Sequence, residues 1–273
     1  MSTFHNSRHL GRRLPLLGFC FLLASPPLSA QTARDWIKDA CYNELQQRQQ
    51  NRLWASQIQR RNAGRIYLEK EIETVDGPIR RLLSVDGHEP SASERRQDDE
   101  RLRTLMHNPK AQLAMKKNRE GDEKKADDLV RAIPDAFLFE DQGYLEGVEK
   151  IAFRPNPAYN PATFEERALN ALRGVILIDR EEKRLVQLSG TLTQQVDFGD
   201  GAIAQLKKGG TIEVKQIRLS PGIWKTSFFS LNINGRIALF KPISKQRDET
   251  LSDFRPLAPD TSIAQALEQL TLK

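Results

Sequence analysis

The stretch VQLSGTLTQQVDF, residues Val186–Phe198, decides the fold class of this chain. Its even-numbered positions are mostly apolar and its odd-numbered positions are polar. A period of two residues predicts a β-strand with one side on a core and the other in water. The apolar side consists of Val186, Leu188, Leu192, Val196 and Phe198. At roughly 3.3 Å per residue such a strand would be about 40 Å long, so we expect a twisted, curled sheet rather than a flat sandwich.

Further strand patterns flank this stretch. Val175–Ile178 is an apolar run directly before it, and Thr211–Leu219 changes phase near Gln216, which predicts a β-bulge. Gln142-Gly143 and Asn234-Gly235 have the composition of tight turns. We therefore predict an α+β fold, in which a curled antiparallel sheet forms an unclosed half-barrel with helices on its concave side.

The segment that precedes these strands predicts a helix and then a hairpin. Thr32–Gln50 carries an apolar stripe that includes Cys41, so we expect a helix with a buried, inert thiol. Asp76-Gly77 predicts the turn of the hairpin that ends at Val85. The pairs Arg60-Arg61 and Arg80-Arg81 indicate a charged, solvent-facing sheet edge.

A charged helical pair is predicted to be inserted at residues 91–131. Ser91 and Glu94 have the spacing of a capping box, and Asn108-Pro109 indicates a break between two helices. Lys116–Asp128 is almost entirely charged and predicts a mobile or solvated middle. A solvated helix face is the ordinary interpretation, and a docking arm for a partner is the alternative.

Residues 1–30 have the pattern of a secretory signal peptide. Three arginines precede the apolar run Leu14–Ala24, and Leu28-Ser29-Ala30 is a cleavage exit. Cleavage near Ala30 predicts a periplasmic or secreted protein, and it lowers the formal net charge from +6 to +3. This charge does not indicate a nucleic-acid partner. The remaining boundaries are a single domain at 31–257, with no transmembrane span, and a C-terminal tail at 258–273.

Five short segments resemble a known architecture. They are Asp135–Phe139, Phe153–Pro157, Gly174–Asp179, Lys208–Gly210 and Ser252–Arg255. Together with the order of elements, they make the chain similar to an uncharacterised group of secreted bacterial proteins within the LolA/LolB-like, outer-membrane lipoprotein-sorting superfamily. The resemblance implies an unclosed curled sheet whose concave side is plugged by helices. In the better-known members, that concavity holds acyl chains.

No pattern of catalytic or cofactor-binding residues is present in the sequence. It contains no Gly-x-Ser-x-Gly, His-Glu-x-x-His or phosphate-loop motif. Asp86, His88 and Glu89 are a conceivable but poorly spaced metal cluster, so we expect no metal site. We predict that the chain is not an enzyme and has no cofactor; a hydrolase is the least favoured of the function classes.

Two hypotheses of function follow. In the first, the chain is a non-enzymatic periplasmic binding protein that holds an apolar ligand, such as a lipid or a lipoprotein acyl chain. The ligand-binding residues would then be Val186, Leu188, Leu192, Val196 and Phe198. In the second, it is a structural or signalling interaction protein of the cell envelope, whose core is filled and whose charged helices bind a protein partner.

Overall fold

A computed structural model describes residues 1, 31–50, 52–62, 64–199, 203–237 and 241–271. The predicted signal peptide and its cleavage exit lie outside these residues. Within them the chain forms five helices and twelve strands. The helices are α1 (Ala33–Gln49), α2 (Ala92–His107), α3 (Pro109–Ala136), α4 (Phe164–Asn170) and α5 (Ile263–Thr271). The strands are β1 (Trp54–Asn62), β2 (Arg65–Ile72), β3 (Ile79–Val85), β4 (Phe137–Leu145), β5 (Val148–Pro155), β6 (Leu172–Asp179), β7 (Arg184–Leu192), β8 (Val196–Phe198), β9 (Ala204–Leu206), β10 (Thr211–Ser220), β11 (Ile223–Ile237) and β12 (Lys241–Pro256).

All the described strands belong to one antiparallel sheet. Ten of them follow the order β3-β2-β1-β12-β11-β10-β7-β6-β5-β4, and the short β9 pairs with both β8 and β11. The last strand therefore joins the N-terminal meander to the central one. Because β3 and β4 stand at opposite ends of this order, the sheet is not closed in the described part of the chain. The predicted α+β class with a large unclosed antiparallel sheet is confirmed.

One face of the sheet can be followed through the strand register, because paired residues of antiparallel neighbours point to the same side. We call it the inner face. Its central row runs through Ile151, Ile176, Leu188, Val214, Phe229, Glu249, Arg60 and Tyr67. The row is apolar from β5 to β11 and becomes charged at β12 and β1.

Helix α1 covers the apolar half of the inner face. Thr32 caps it through a capping box with Asp35, and Trp36, Ile37 and Ala40 are buried. These residues share a core cluster with the buried side chains of β4–β7, which include Phe137, Ile151, Phe153, Ile176 and Leu192. The three- and four-residue spacing of the apolar positions thus places α1 on the sheet.

Helices α2 and α3 form the predicted helical pair. Ser91 and Glu94 complete the capping box, and Asn108 caps α3 through its side chain. The predicted break lies at Asn108-Pro109, between α2 and α3. The charged stretch 116–128 is mostly exposed, as the solvated alternative predicts, but it continues as helix within the 28 residues of α3. Ion pairs between adjacent turns, such as Arg119–Glu123 and Lys124–Asp128, support it there.

Helix α5 lies within the segment 258–273 that the sequence separated as a tail. Its residues Ala266 and Leu267 are fully buried and share a second core cluster with Ala55, Ile72 and Ile79. Register places these three strand residues on the side opposite to the inner face. The sheet is therefore covered by α1 on one face and by α5 on the other.

Three local predictions need correction. The long strand Val186–Phe198 is two strands, because β7 ends at Leu192 and β8 starts at Val196. The amides of Leu192 and Thr193 still donate to the carbonyl oxygens of Gly210 and Ala171, in step with the pairing of β7 with β10 and β6. The next strand, β8, pairs with β9 instead.

The two predicted turns lie inside strands. The chain reverses at Glu146-Gly147, which both have positive φ, instead of at Gln142-Gly143. Asn234-Gly235 lies within β11, where Gly235 pairs with β9 and β12. A Cβ there would lie 2.1 Å from the Gln205 carbonyl oxygen, so the glycine permits close strand approach rather than a turn. The bulge predicted near Gln216 is confirmed.

Candidate functional site

The predicted ligand-binding residues are placed in different surroundings. Leu188, Leu192 and Val196 belong to the core cluster that contains Ile37 of α1. Val186 is half-buried, has no paired residue in the register of β6 and β7, and is not part of the apolar core cluster. The Phe198 side chain lies outside the part of the chain that the structure describes. Where the structure describes it, this face is therefore packed against helix side chains rather than open.

A cavity lies next to this packed region, between α1, α3 and the sheet. We call it the α3 cavity; its volume is about 550 Å³. The last turns of α1 and the middle of α3 line one side of it. The sheet lines the other side through β1, β2, β10, β11 and β12. A pocket of this size is in the usual range of roughly 300–1,000 Å³ for small-molecule sites.

Aromatic and aliphatic side chains form part of the cavity lining. They are Leu53, Trp54, Ile223, Trp224, Leu251 and Phe254. Trp54 and Trp224 are buried, and both are anchored by polar contacts. The Trp224 Nε1–H donates to Glu182 at 2.5 Å, and the Lys225 ammonium lies 5.9 Å from the centre of the Trp54 ring.

A polar network holds the end of α1 at this cavity. Glu44 accepts hydrogen bonds from buried Arg184 at 2.8 Å and from Gln216 at 3.2 Å. The Gln47 side chain bonds both the amide and the carbonyl of Trp224, at 3.0 and 2.7 Å. Burial lowers the pKa of Arg184 although Glu44 opposes this shift. The network fixes α1 relative to β7, β10 and β11.

Two polar atoms at the α3 cavity are buried without a hydrogen bond to any described residue. They are the Oε1 of Gln216, a residue that is only 8% exposed, and the Nε of Arg119 on α3. Both residues line the cavity. Because buried polar groups are normally satisfied, these atoms indicate where a polar ligand group could bind.

A buried ion network borders the cavity at the charged half of the inner face. The Arg80 guanidinium contacts Glu71 at 2.7 Å and Glu249 at 3.5 Å, and Arg60 contacts Glu69 at 3.0 Å. Burial raises the pKa of Glu71, although Arg80 opposes this shift. Burial also opposes charge on Arg80, yet the surrounding carboxylates raise its pKa.

This network corrects the interpretation of the arginine pairs. Arg60 belongs to β1, which lies between β2 and β12, and is therefore not on a sheet edge. Arg60 and Arg80 instead point to the inner face and are half-buried. Only Arg80-Arg81 lies on an edge strand, β3. The alternation in β2 and β3 could have indicated this pairing, since Glu69, Glu71 and Arg80 recur on one side.

The three conceivable metal ligands have other partners. Asp86 accepts from the amide of Ile66 and pairs with Arg65, and Glu89 pairs with Arg95. His88 is exposed, and its backbone bridges to Val85. Among the described residues no group of histidine, cysteine and carboxylate side chains is arranged to hold a metal ion.

Burial raises the pKa of Cys41 to about 12, which disfavours the reactive thiolate.

No described helix has both the length and the apolar composition needed to cross a bilayer.

No protein family, curated protein or solved structure matches this chain. The resemblance to the LolA/LolB-like superfamily therefore stays a prediction.

Proposed function

We propose that this chain is a non-enzymatic binding protein, periplasmic or secreted, that holds an amphipathic ligand in the α3 cavity. The ligand class is a lipid or a lipoprotein acyl chain with a polar end. The observation that supports the proposal is a cavity of about 550 Å³ that has a partly apolar lining and two unpartnered buried polar atoms.

The position of the cavity differs from the site expected from the sequence. Leu188, Leu192 and Val196 pack against α1, so an acyl chain would have to displace α1 to reach them. The α3 cavity needs no such displacement. Its wall at Trp54, Trp224, Leu251 and Phe254 would contact the chain. Burial of each methylene would contribute about 0.8 kcal/mol.

The polar end of the ligand would bind at Gln216 and Arg119. A carbonyl or phosphate oxygen could accept from the Arg119 Nε–H, and a hydroxyl or amide group could donate to the Gln216 Oε1. Satisfying two buried polar groups would fix the orientation of the ligand, while the apolar wall would supply most of the affinity.

The test uses delipidated full-length protein and a series of lysophospholipids and fatty acids of increasing chain length. We expect the melting temperature to rise with ligand concentration and with chain length. Thr226→Phe places an aromatic ring into the cavity and should abolish the rise. Thr226 pairs with Gln216 and lines the cavity. Thr191→Phe, on the exposed opposite face of β7, is the matched control and should retain it. If no ligand raises the melting temperature of the unmodified chain, the proposal is refuted.

The packing of α1 favours a second candidate function, an interaction protein with a filled core. The face that sequence assigned to a ligand is occupied by Ile37 and its neighbours. The α2–α3 pair meanwhile exposes a charged surface around Leu113, which is 52% exposed. In this proposal a protein partner of the envelope binds α3.

A photo-crosslinking residue distinguishes this second candidate. Placed at Leu113, it should form a discrete adduct in intact cells. Placed at Leu145, which is 75% exposed on edge strand β4, it should not. Equal crosslinking at both positions, or none at Leu113, would contradict partner binding through α3. Deleting residues 91–131 is a poorer test, because buried Leu102 belongs to the second core cluster.

A further inference from the structure

A second pocket lies on the charged half of the inner face, beyond the ion network of Arg80. We call it the basic pocket; its volume is about 550 Å³. It lies where β1 ends and β12 begins. Its charged lining residues are Arg60, Arg61, Arg80, Lys245, Arg247 and Glu249. Arg61 alternates with Arg60 and points to the opposite face, so four basic side chains and a single carboxylate of the inner face surround the pocket.

Carboxylates lie deeper in the sheet than the arginines of the pocket. The side chains of Glu71 and Glu249 are 8% and 6% exposed, whereas those of Arg60 and Arg247 are 25% and 42% exposed. The buried acids therefore hold the guanidinium groups from beneath, and the positive charge faces the pocket. Such an arrangement orients the cations before any ligand binds.

Each arginine keeps donors that no described carboxylate uses. Arg60 contacts Glu69 through one terminal nitrogen at 3.0 Å, and Arg247 contacts Glu249 through one at 2.8 Å. Both guanidinium groups also lie against aromatic rings, those of Tyr67 at 4.8 Å and Phe229 at 5.5 Å. A guanidinium carries five N–H donors, so several remain for an external acceptor.

Lys245 adds a positive charge that is not compensated. It makes no ion pair with any described residue, it is exposed, and register places it on the inner face opposite Ile233. Counting the deeper Glu69 and Glu71, four cations of the inner face meet three carboxylates. The pocket is thus electropositive even after the internal ion pairs are included.

We propose that the basic pocket binds a phosphate group. Clustered arginines match the oxygen geometry of phosphate through paired N–H donors. A phosphate group presents more acceptor oxygens than a carboxylate does, which suits the free N–H donors of Arg60, Arg247 and Lys245. The group could belong to a soluble phosphate compound or to an anionic lipid headgroup. The inference is independent of the α3 cavity, because the Glu71–Arg80 pair lies between the two.

Two binding measurements on the full-length protein separate these sources. Calorimetric titration with pyrophosphate tests the soluble form. Co-sedimentation with phosphatidylglycerol vesicles, compared with phosphatidylcholine vesicles, tests the headgroup. We expect saturable binding in at least one of the two, and no capture by phosphatidylcholine alone.

The variant Lys245→Gln/Arg247→Gln removes two cations from the pocket. Each lost charge-assisted hydrogen bond should weaken binding about tenfold or more, so the pair should weaken it on the order of a hundredfold. Lys150→Gln/Arg154→Gln removes the same charge from exposed positions on β5 and should bind normally. Lys245→Gln alone keeps the test valid if the double variant unfolds, because no described ion pair depends on Lys245.

Pyrophosphate binding that is lost in the pocket variant and kept in the control supports the site and a soluble ligand. Binding only to phosphatidylglycerol vesicles, with the same dependence on the variants, supports it with a lipid headgroup. Binding to neither probe, or equal loss in both double variants, overturns the proposal.

Discussion

The two halves of the inner face share one continuous strand register, but one half is buried by apolar packing and the other by ion pairs. At β5–β7 the face is aliphatic, and α1 covers it with Ile37 and its neighbours. At β12, β1 and β2 the same face carries Glu249, Arg60 and Glu71, which are buried or half-buried through ion pairs. Apolar burial contributes stability that does not depend on pH, whereas a buried ion network stabilises only while every charge keeps its partner.

The largest expected effect is on the aliphatic half. Ile37 is 1% exposed and lies in the cluster between α1 and the sheet, so Ile37→Ala should leave a cavity. We expect the free energy of unfolding to fall by about 4 kcal/mol in urea denaturation. Tyr42→Ala on the exposed side of the same helix should change it by less than about 0.5 kcal/mol. Similar small effects of both would mean that α1 does not pack on this face.

The next effect concerns the charged half. Arg80→Met removes the cation shared by Glu71 and Glu249 and leaves two buried carboxylates without it. We expect a loss of about 3 kcal/mol at neutral pH, near the lower end for a broken buried pair because Arg80 is partly exposed. Arg154→Met on the exposed side of β5 is the control. Were both variants equally stable, the network would be dispensable.

A smaller effect should appear in the pH dependence of stability. Burial raises the pKa of Glu71 above its ordinary value of 4.5, so the folded state binds this proton more tightly than the unfolded state. The contribution of Glu71 is therefore fully present below about pH 4.5 and is lost as pH rises through the raised pKa. Glu71→Gln should flatten the fall in unfolding free energy above that pH, whereas exposed Glu120→Gln should not. If the unfolding free energy of the unmodified chain, Glu71→Gln and Glu120→Gln changes with pH in the same way, the pKa of Glu71 is not raised.

The smallest expected effect is on the alkylation rate of Cys41 in α1. Burial raises the pKa of Cys41 to about 12, so in a Cys20→Ser background its alkylation at pH 8 should be very slow in the folded protein. The Ile37→Ala variant should speed the reaction by loosening α1, while Arg80→Met should leave the rate unchanged. Rapid labelling of Cys41 in the Cys20→Ser protein, measured by mass spectrometry, would show that α1 opens freely.

Local patterns predicted several features correctly. The capping box at Ser91, the break at Asn108-Pro109 and the bulge at Gln216 each depend on a few neighbouring residues. Their hydrogen bonds or strand phase are determined within one or two turns of chain, so the sequence contains the whole cause.

The failed predictions share a different cause. The strand is interrupted after Leu192 because β8 pairs with β9, whereas β7 pairs with β6 and β10. Gly235 remains in a strand because β9 and β12 flank it closely. In each case a partner elsewhere in the fold decided between two local conformations of similar energy.

The sequence by itself determined the strand alternation, the helix caps and thereby the α+β class with an unclosed antiparallel sheet. Only the tertiary structure decided that α1 fills the apolar half of the inner face, that the cavity lies instead beneath α3, and that Arg60 and Arg80 meet Glu69, Glu71 and Glu249. The physical reason is that the alternation of residues shows which side of a strand is apolar. Which element covers that side, and which charges pair, depends on which strands become neighbours.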